Sequence, residues 1–143
     1  MTKSFLLKSI HGKDVSGEAV VLTGGFSPRY HLNREQGVFS LPGHELDGES
    51  PQGKILICDF ARGGIAGGWS LNDLKYKEFV PKALVFVRAN PVMVQGSIFA
   101  GITIAEGLNK EDFELLKTAK YVQLNAENKK LIMEEKNSRR LTV

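Results

Sequence analysis

The feature that most constrains this chain is a glycine-rich stretch between two apolar runs. Residues 59–73 contain four glycines, and the apolar run 54–58 precedes them. That run predicts a buried strand, and the pattern of residues 71–79 predicts a helix, so the glycines form the loop between the two. A second continuous apolar run, residues 83–87, is typical of a central strand in a parallel sheet. The sequence therefore predicts a right-handed strand–helix–strand unit.

The glycine loop is a candidate anion site. Glycines have no Cβ to keep a ligand from the backbone, and the free N–H groups at a helix N-terminus suit a carboxylate or a phosphate. Arg62 stands at the start of the loop and offers a fixed fork of donors. The spacing matches neither the P-loop nor the dinucleotide fingerprint. The alternative is a flexible surface loop whose glycines only make turns. The candidate residues are Arg62, Gly63, Gly64, Gly67 and Gly68.

Two more candidates follow the second apolar run. Ligands favour the carboxyl ends of parallel strands, and Arg88 and Asn90 stand at that position. A plain surface charge is an equal alternative for Arg88. Ser70 begins a Ser-x-x-Asp capping box, so helix capping is its simplest role.

Residues 24–50 form a long irregular segment that contains Gly24, Gly25 and His44. Loops of this length in a compact domain are usually functional or disordered, and the apolar residues of this one argue against disorder. His31 and His44 are possible ligands or acids, and hydrogen-bonded loop histidines are the simpler interpretation. Their spacing matches no metal motif.

Bulk composition fits one compact domain, with its body at residues 1–134 and a polar tail at residues 135–143. The 143 residues carry a net charge of +3, and the basic residues are scattered except at the C-terminus. Neither a nucleic-acid nor a membrane partner is predicted, because basic and aromatic residues are not interleaved and no apolar run is long enough to span a bilayer. Cys58 is the single cysteine, which excludes an internal disulfide and favours a reducing, cytoplasmic setting.

The remaining elements complete the predicted architecture. We expect strands at residues 4–10 and 15–22 to pair as a hairpin, and a closing hairpin at residues 121–124 and 130–133. Short helices are expected at residues 92–99 and 110–118, with a short strand at 102–104. The fold class is therefore α/β, a small mixed sheet with flanking helices.

Several short motifs, taken in order, resemble the small "swivel" subunit of the aconitase X family. They are the segments 17–22, 48–50, 53–57 and 83–87, with His44, the Arg62–Gly63 pair and Asn90–Pro91. The resemblance implies a swivelling β/β/α domain, as in the mobile domain of aconitase. It implies a hydro-lyase (dehydratase) that removes water from a small hydroxy acid. The partner would be a large subunit that carries an iron–sulfur cluster, with the active site between the two subunits and no cofactor bound by this chain.

The chain departs from the family pattern in the glycine loop. In the dehydratases of this family, serines usually follow the Arg/Lys–Gly pair, and one of them is the catalytic base. Here those positions are Gly64 and Ile65, and the nearest hydroxyl is that of Ser70. Three alternatives follow from this departure: Ser70 is the catalytic base, the base comes from the large subunit, or the chemistry differs. The resemblance implies that the substrate is held by the glycine loop, Arg62, Arg88 and Asn90. Gly24, Gly25 and His44 would face the cleft or the partner. The alternative is a non-catalytic small-acid-binding or regulatory module.

Overall fold

The computed structural model describes residues 2–33, 35–62 and 80–134. Within these residues, eight strands form one mixed sheet in the order β1-β10-β9-β3-β6-β7-β8-β2, and two short strands form a second sheet. The strands are β1 Thr2–Leu6, β2 Ser9–His11, β3 Val15–Leu22, β4 Leu32–Asn33, β5 Val38–Phe39, β6 Ile55–Phe60, β7 Ala83–Arg88, β8 Thr103–Glu106, β9 Tyr121–Asn125 and β10 Lys130–Glu134. The helices are α1 Pro28–His31, α2 Pro91–Ala100 and α3 Lys110–Leu116.

The centre of the main sheet is parallel and buried on both faces. Strands β3, β6, β7 and β8 pair in parallel, with Leu56 opposite Leu84 and Cys58 opposite Phe86. Successive residues of a strand point to opposite faces, so a run that is apolar throughout is stable only where both faces are covered. This explains the two continuous apolar runs and confirms the predicted parallel pair of strands.

Two apolar clusters cover these faces. The first cluster includes Ile57, Val85 and residues of β1, β9 and β10, and it packs against Phe113 and Leu116 of α3. The second is formed by alternate residues of the central strands with α2 and the aromatic anchors of the 24–50 segment, namely Leu56, Leu84, Phe86, Met93, Phe26 and Phe39.

The two edges of the main sheet come together. Strands β1 and β2 lie at opposite ends of the strand order, and only Leu7 and Lys8 separate them along the chain. The amide of Leu7 donates to the carbonyl of Lys129, and that of Lys8 donates to the carbonyl of Glu106, 2.8 and 2.9 Å away. The sheet therefore curls until its edges meet, which leaves little exposed strand edge.

The predicted N-terminal hairpin is wrong. One strand was expected at residues 4–10, paired with residues 15–22. The structure instead divides that segment into β1, which pairs with β10, and β2, which pairs with β8. Strand β3 pairs with β6 and β9. Pairing partners distant in sequence bury more apolar surface than a local hairpin would, and a local pattern carries no information about them.

The other predicted elements are found with small shifts. The closing hairpin is β9–β10, and the sheet is larger than predicted. Helices α2 and α3 begin at Asn90 and Asn109, whose side-chain oxygens accept from the amides of Met93 and Asp112. The predicted helix at residues 71–79 and the tail at 135–143 lie outside the described residues. Among the residues that are described, no helix is long and apolar enough to cross a membrane.

Candidate functional site

The carboxyl ends of the parallel strands meet at one edge of the sheet and border a cleft. In βα folds this edge is where ligands bind. The cleft has a volume of about 780 Å³. Strands β6, β7 and β8 each contribute a charged residue to it, Asp59, Arg88 and Glu106 respectively. Lys8, Lys110 and Glu114 also line it, over the apolar side chains of Leu108 and Phe113.

Arg62 lies just beyond the end of β6 and is held by the segment that follows β3. Its amide donates to the carbonyl of Phe26 at 2.9 Å, and its Nη1 lies 3.4 Å from the carbonyl oxygen of Gly24. The stem of the side chain covers Gly25 so closely that a Cβ there would overlap Arg62 Cγ and Cδ. Arg62 is exposed, and no carboxylate of residues 2–33, 35–62 or 80–134 forms an ion pair with it.

Asp59 fastens the Gly24–Gly25 turn to the end of β6. Its Oδ2 accepts from the amide of Gly24 at 2.8 Å, and its Oδ1 accepts from the amides of Gly25 and Phe60, each at 2.9 Å. Burial raises the pKa of this carboxyl, but the hydrogen bonds from Gly24, Gly25 and the Cys58 thiol outweigh it, and the pKa lies below the ordinary value. Asp59 is therefore ionised at neutral pH.

Arg88 ends β7 in a looser setting. It is exposed, and its carbonyl accepts from the amide of Ala61 at 3.0 Å. It shares the cleft with Lys8 and Lys110. Among the described residues, neither Arg88 nor the two lysines form an ion pair with an acid.

The acidic residues of the cleft are engaged elsewhere. Glu106 Oε2 accepts from the amide of Ala89 at 3.3 Å, and Glu114 pairs with Lys117 at 2.9 Å. Asp59 holds the glycine turn. Among the described residues, the three acids of the cleft thus have partners, whereas its three cations form no ion pair.

Asn90 borders a different hollow. Its Oδ1 accepts from the amide of Met93 at 2.7 Å and caps α2. The hollow beside it measures about 580 Å³ and is mostly apolar, with Pro91, Val94, Ile98 and Phe99 in its wall. The structure thus places Arg88 and Asn90 at the same sheet edge, in neighbouring hollows.

The histidines are engaged in local hydrogen bonds. His44 is exposed, and its Nδ1 accepts from the amide of Leu46 at 3.0 Å. His31 Nδ1 accepts from the amide of Ser27 at 2.9 Å. Burial lowers the pKa of His31, and the positive charge of Arg62 lowers it further. His31 is therefore neutral at physiological pH.

Part of the predicted site is not described. The loop candidates Gly63, Gly64, Gly67, Gly68 and Ser70 lie outside residues 2–33, 35–62 and 80–134. Their assignment stays a prediction.

Sequence reasoning missed Asp59, Lys8 and Lys110. A signal existed for Asp59, since it is a carboxylate at the end of a buried strand, next to the glycine loop. The sequence carries no such signal for Lys8 or Lys110, because only the curled sheet and the packing of α3 bring these residues to the cleft.

The donors of residues 2–33, 35–62 and 80–134 do not fit a resident metal cluster. Cys58 is the single cysteine, it is buried, and burial together with its hydrogen bond to Asp59 raises the pKa of its thiol to about 12. A thiol in that state is a poor metal ligand. Among the described residues no group of three or more His, Cys, Asp or Glu side chains is placed to hold a metal ion.

A comparison with models of protein families shows to which family the chain belongs. The model of the aconitase X swivel domain matches residues 4–133. The chain belongs to the aconitase X swivel domain family. This confirms the family that the ordered motifs predicted.

Relatives and solved structures agree with that membership. The chain is 30% identical over 118 residues to the phosphomevalonate dehydratase small subunit of Pyrococcus abyssi, covering 82% of this chain and 88% of the relative. It is 31% identical over 111 residues to that of Pyrococcus horikoshii, covering 78% and 81%. The crystal structure of Thermococcus kodakaraensis aconitase X superposes with a TM-score of 0.83 at 25% identity, covering 93% of this chain and 99% of that one. The predicted α/β swivel fold is thereby confirmed, and the dehydratase subunit predicted from the motifs agrees with the names of these relatives.

Proposed function

We propose that this chain is the small subunit of an aconitase X-type hydro-lyase, which removes water from a small hydroxy acid. The observation that carries the proposal is a pair of arginines, Arg62 and Arg88, at the carboxyl ends of neighbouring parallel strands. Neither has an acidic partner among the described residues. The names of the relatives, which are dehydratase small subunits, support the reaction class.

The partner is a large subunit that holds the iron–sulfur cluster and completes the active site, and the setting is the cytoplasm. This chain supplies the anion-binding side. Arg62 and the amides of Gly63, Gly64, Gly67 and Gly68 bind an acidic group of the substrate, and Arg88 binds on the same rim. Asn90 supports that rim by capping α2. Gly24, Gly25 and His44 lie on the side that faces the cleft or the partner.

Dehydration needs a base on one carbon and a leaving hydroxide on the next. The base takes a proton, the C–H electron pair becomes the new C=C bond, and the C–O bond breaks. The base then passes this proton to the departing hydroxide, which leaves as water, and the base returns to its starting state. Ser70 is the proposed base from this chain. A serine hydroxyl must first lose its own proton, and the positive charge of Arg62 favours the resulting alkoxide.

Reconstitution tests the function. The chain is co-expressed with the large subunit, and water loss from phosphomevalonate and from other hydroxy acids is followed by formation of the unsaturated product. The Ser70→Ala variant is expected to lose about 100-fold or more in kcat, the usual contribution of a general base. Ser4→Ala, on the exposed side of β1, is the matched control. Full turnover by Ser70→Ala would remove Ser70 from the mechanism.

One observation favours a second function. Gly64 and Ile65 stand where, by the resemblance, the family's dehydratases usually carry serines, so the chain is also a candidate for a non-catalytic acid-binding module. Binding of small acids by the full chain, together with an inactive complex, would favour that module.

A further inference from the structure

We infer that Asp59 is a positioning residue that holds Arg62 ready for an acidic ligand. The inference rests on the proposed function, because the ligand of Arg62 is the acidic group of the substrate, a carboxylate or a phosphate. Asp59 itself does not touch the ligand. It acts through the Gly24–Gly25 turn.

Asp59 first fixes the Gly24–Gly25 turn through hydrogen bonds to its carboxylate. Both of its carboxylate oxygens accept from consecutive glycine amides, at 2.8 Å from Gly24 and 2.9 Å from Gly25. The two glycines have φ angles of 87° and 93°, which only glycine adopts without strain. In this conformation both amides point to one carboxylate, so the turn has one stable position on the end of β6.

The second step leads from the turn to Arg62. The stem of Arg62 lies on Gly25 at a distance that leaves no room for a Cβ. One guanidinium nitrogen is 3.4 Å from the carbonyl oxygen of Gly24, and the amide of Arg62 donates to the carbonyl of Phe26 at 2.9 Å. The amide of Phe26 in turn donates to the carbonyl of Phe60 at 3.0 Å. The backbone, stem and head of Arg62 thus all contact the segment that Asp59 fixes.

The third step concerns charge. A carboxylate beside an arginine usually pairs with it and neutralises it. Here the carboxylate of Asp59 is occupied by backbone amides, and no ion pair joins it to Arg62 in the part of the chain that the structure describes. The guanidinium keeps its full charge for a ligand while its position is fixed. Such preorganisation lowers the ordering cost of binding.

The experiment uses the complex of this chain with its large subunit and phosphomevalonate as the probe substrate. The Asp59→Asn variant is expected to raise KM about tenfold, because displacement of a binding group by a fraction of an ångström weakens its contact. Any fall in kcat should be no larger than that of Arg62→Ala, because Asp59 acts only through Arg62. Arg62→Ala raises KM by itself, and adding Asp59→Asn to Arg62→Ala is expected to cause no further rise. A double-mutant cycle that is strongly non-additive in this way shows that the two residues act as one unit.

Asp14→Asn is the matched control. Asp14 also joins distant segments through a backbone amide, that of Ala126 at 2.8 Å, and it precedes β3, whereas the Gly24–Gly25 turn follows that strand. This variant is expected to lose stability and to keep its KM. An unchanged KM for folded Asp59→Asn, or effects of Asp59→Asn and Arg62→Ala that multiply, would overturn the inference.

A measurement on the wild-type full chain covers the case in which the variant does not fold or the complex has no activity. In 1H–15N spectra, the Gly24 and Gly25 amide protons are expected to shift together as Asp59 titrates. Inorganic phosphate is expected to shift the Arg62 side-chain signal. Glycine amides that do not follow Asp59 would overturn the positioning role. An inactive wild-type complex with intact coupling would instead contradict only the proposed reaction.

Discussion

An arginine stands at or just beyond the end of each of two neighbouring strands, and the surroundings of the two arginines differ. Arg62, beyond β6, lies on a glycine turn that Asp59 fixes with bonds of 2.8 and 2.9 Å. Arg88, at the end of β7, is exposed in a cleft of about 780 Å³ that it shares with Lys8 and Lys110. Their strands are paired in register, with Phe60 opposite Arg88.

The difference shows that the fold can order a binding side chain before a ligand arrives. A free arginine loses up to about 2 kcal/mol of rotamer entropy when it is ordered on binding. Arg62 loses much of this rotamer entropy when the chain folds, because its side chain already lies on the glycine turn. Arg88 loses its rotamer entropy only when a ligand binds. We therefore expect Arg62 to determine the geometry of binding and Arg88 to add adjustable attraction.

Removal of the fixed arginine is expected to have the largest effect. Arg62→Ala should lower kcat/KM of the reconstituted complex about 100-fold, as expected for a hydrogen bond to a charged group worth about 3 kcal/mol. Arg62→Lys should recover only part of the loss, since an ammonium lacks the planar fork. Steady-state kinetics measure both variants. A loss smaller than that of Arg88→Ala would reverse the comparison.

Acid titration tests the restraint under Arg62. The folded-state pKa of Asp59 lies below its ordinary value. Its ionised form therefore contributes stability at neutral pH, and this contribution disappears as the pH falls through the folded-state pKa. Asp59→Asn should be less stable by about 1 kcal/mol at pH 7, because the partly exposed amides of Gly24, Gly25 and Phe60 lose a charged acceptor.

Urea unfolding across the acidic range measures that difference. The difference in the free energy of unfolding between wild type and Asp59→Asn should become smaller as the pH falls. A difference that stays constant with pH would mean that the carboxylate charge does not hold the turn.

Loss of the adjustable arginine is expected to matter less. Arg88→Ala should lower kcat/KM about fivefold, since an exposed charge pair contributes up to about 1 kcal/mol. The loss should shrink as salt is raised, because exposed charges are screened. Kinetics of wild type and Arg88→Ala at low and high ionic strength give the measurement. A loss that does not change with salt would contradict a screened attraction between Arg88 and the ligand.

The smallest effect is expected at Cys58, one residue before Asp59. Burial and the Asp59 hydrogen bond raise the pKa of its thiol to about 12, so iodoacetamide at pH 8 should not label the folded chain. The unfolded chain should be labelled fully, and mass spectrometry reads the single cysteine directly. Labelling of the folded chain would show that the end of β6 opens, and the restraint on Arg62 would open with it.

The sequence alone determined the central parallel strands and the sheet edge that we propose as the ligand site. Continuous apolar runs at β6 and β7 are stable only when both faces are covered, and that condition can be read from residue type and order. Helices α2 and α3 were also predicted from short-range sequence, whereas the cap that Asn90 provides for α2 became evident only in the structure. The ordered motifs identified the family before any coordinates.

Only the tertiary structure decided which residues meet at that edge. Leu7 and Lys8 join opposite edges of a curled sheet, so Lys8 reaches a cleft that its own neighbours in sequence do not predict. Asp59 and Gly24 are 35 residues apart, and a hydrogen bond between them leaves no local pattern. Residue type and short-range spacing set what each strand buries, whereas pairing across long loops is settled by the total burial of the folded chain.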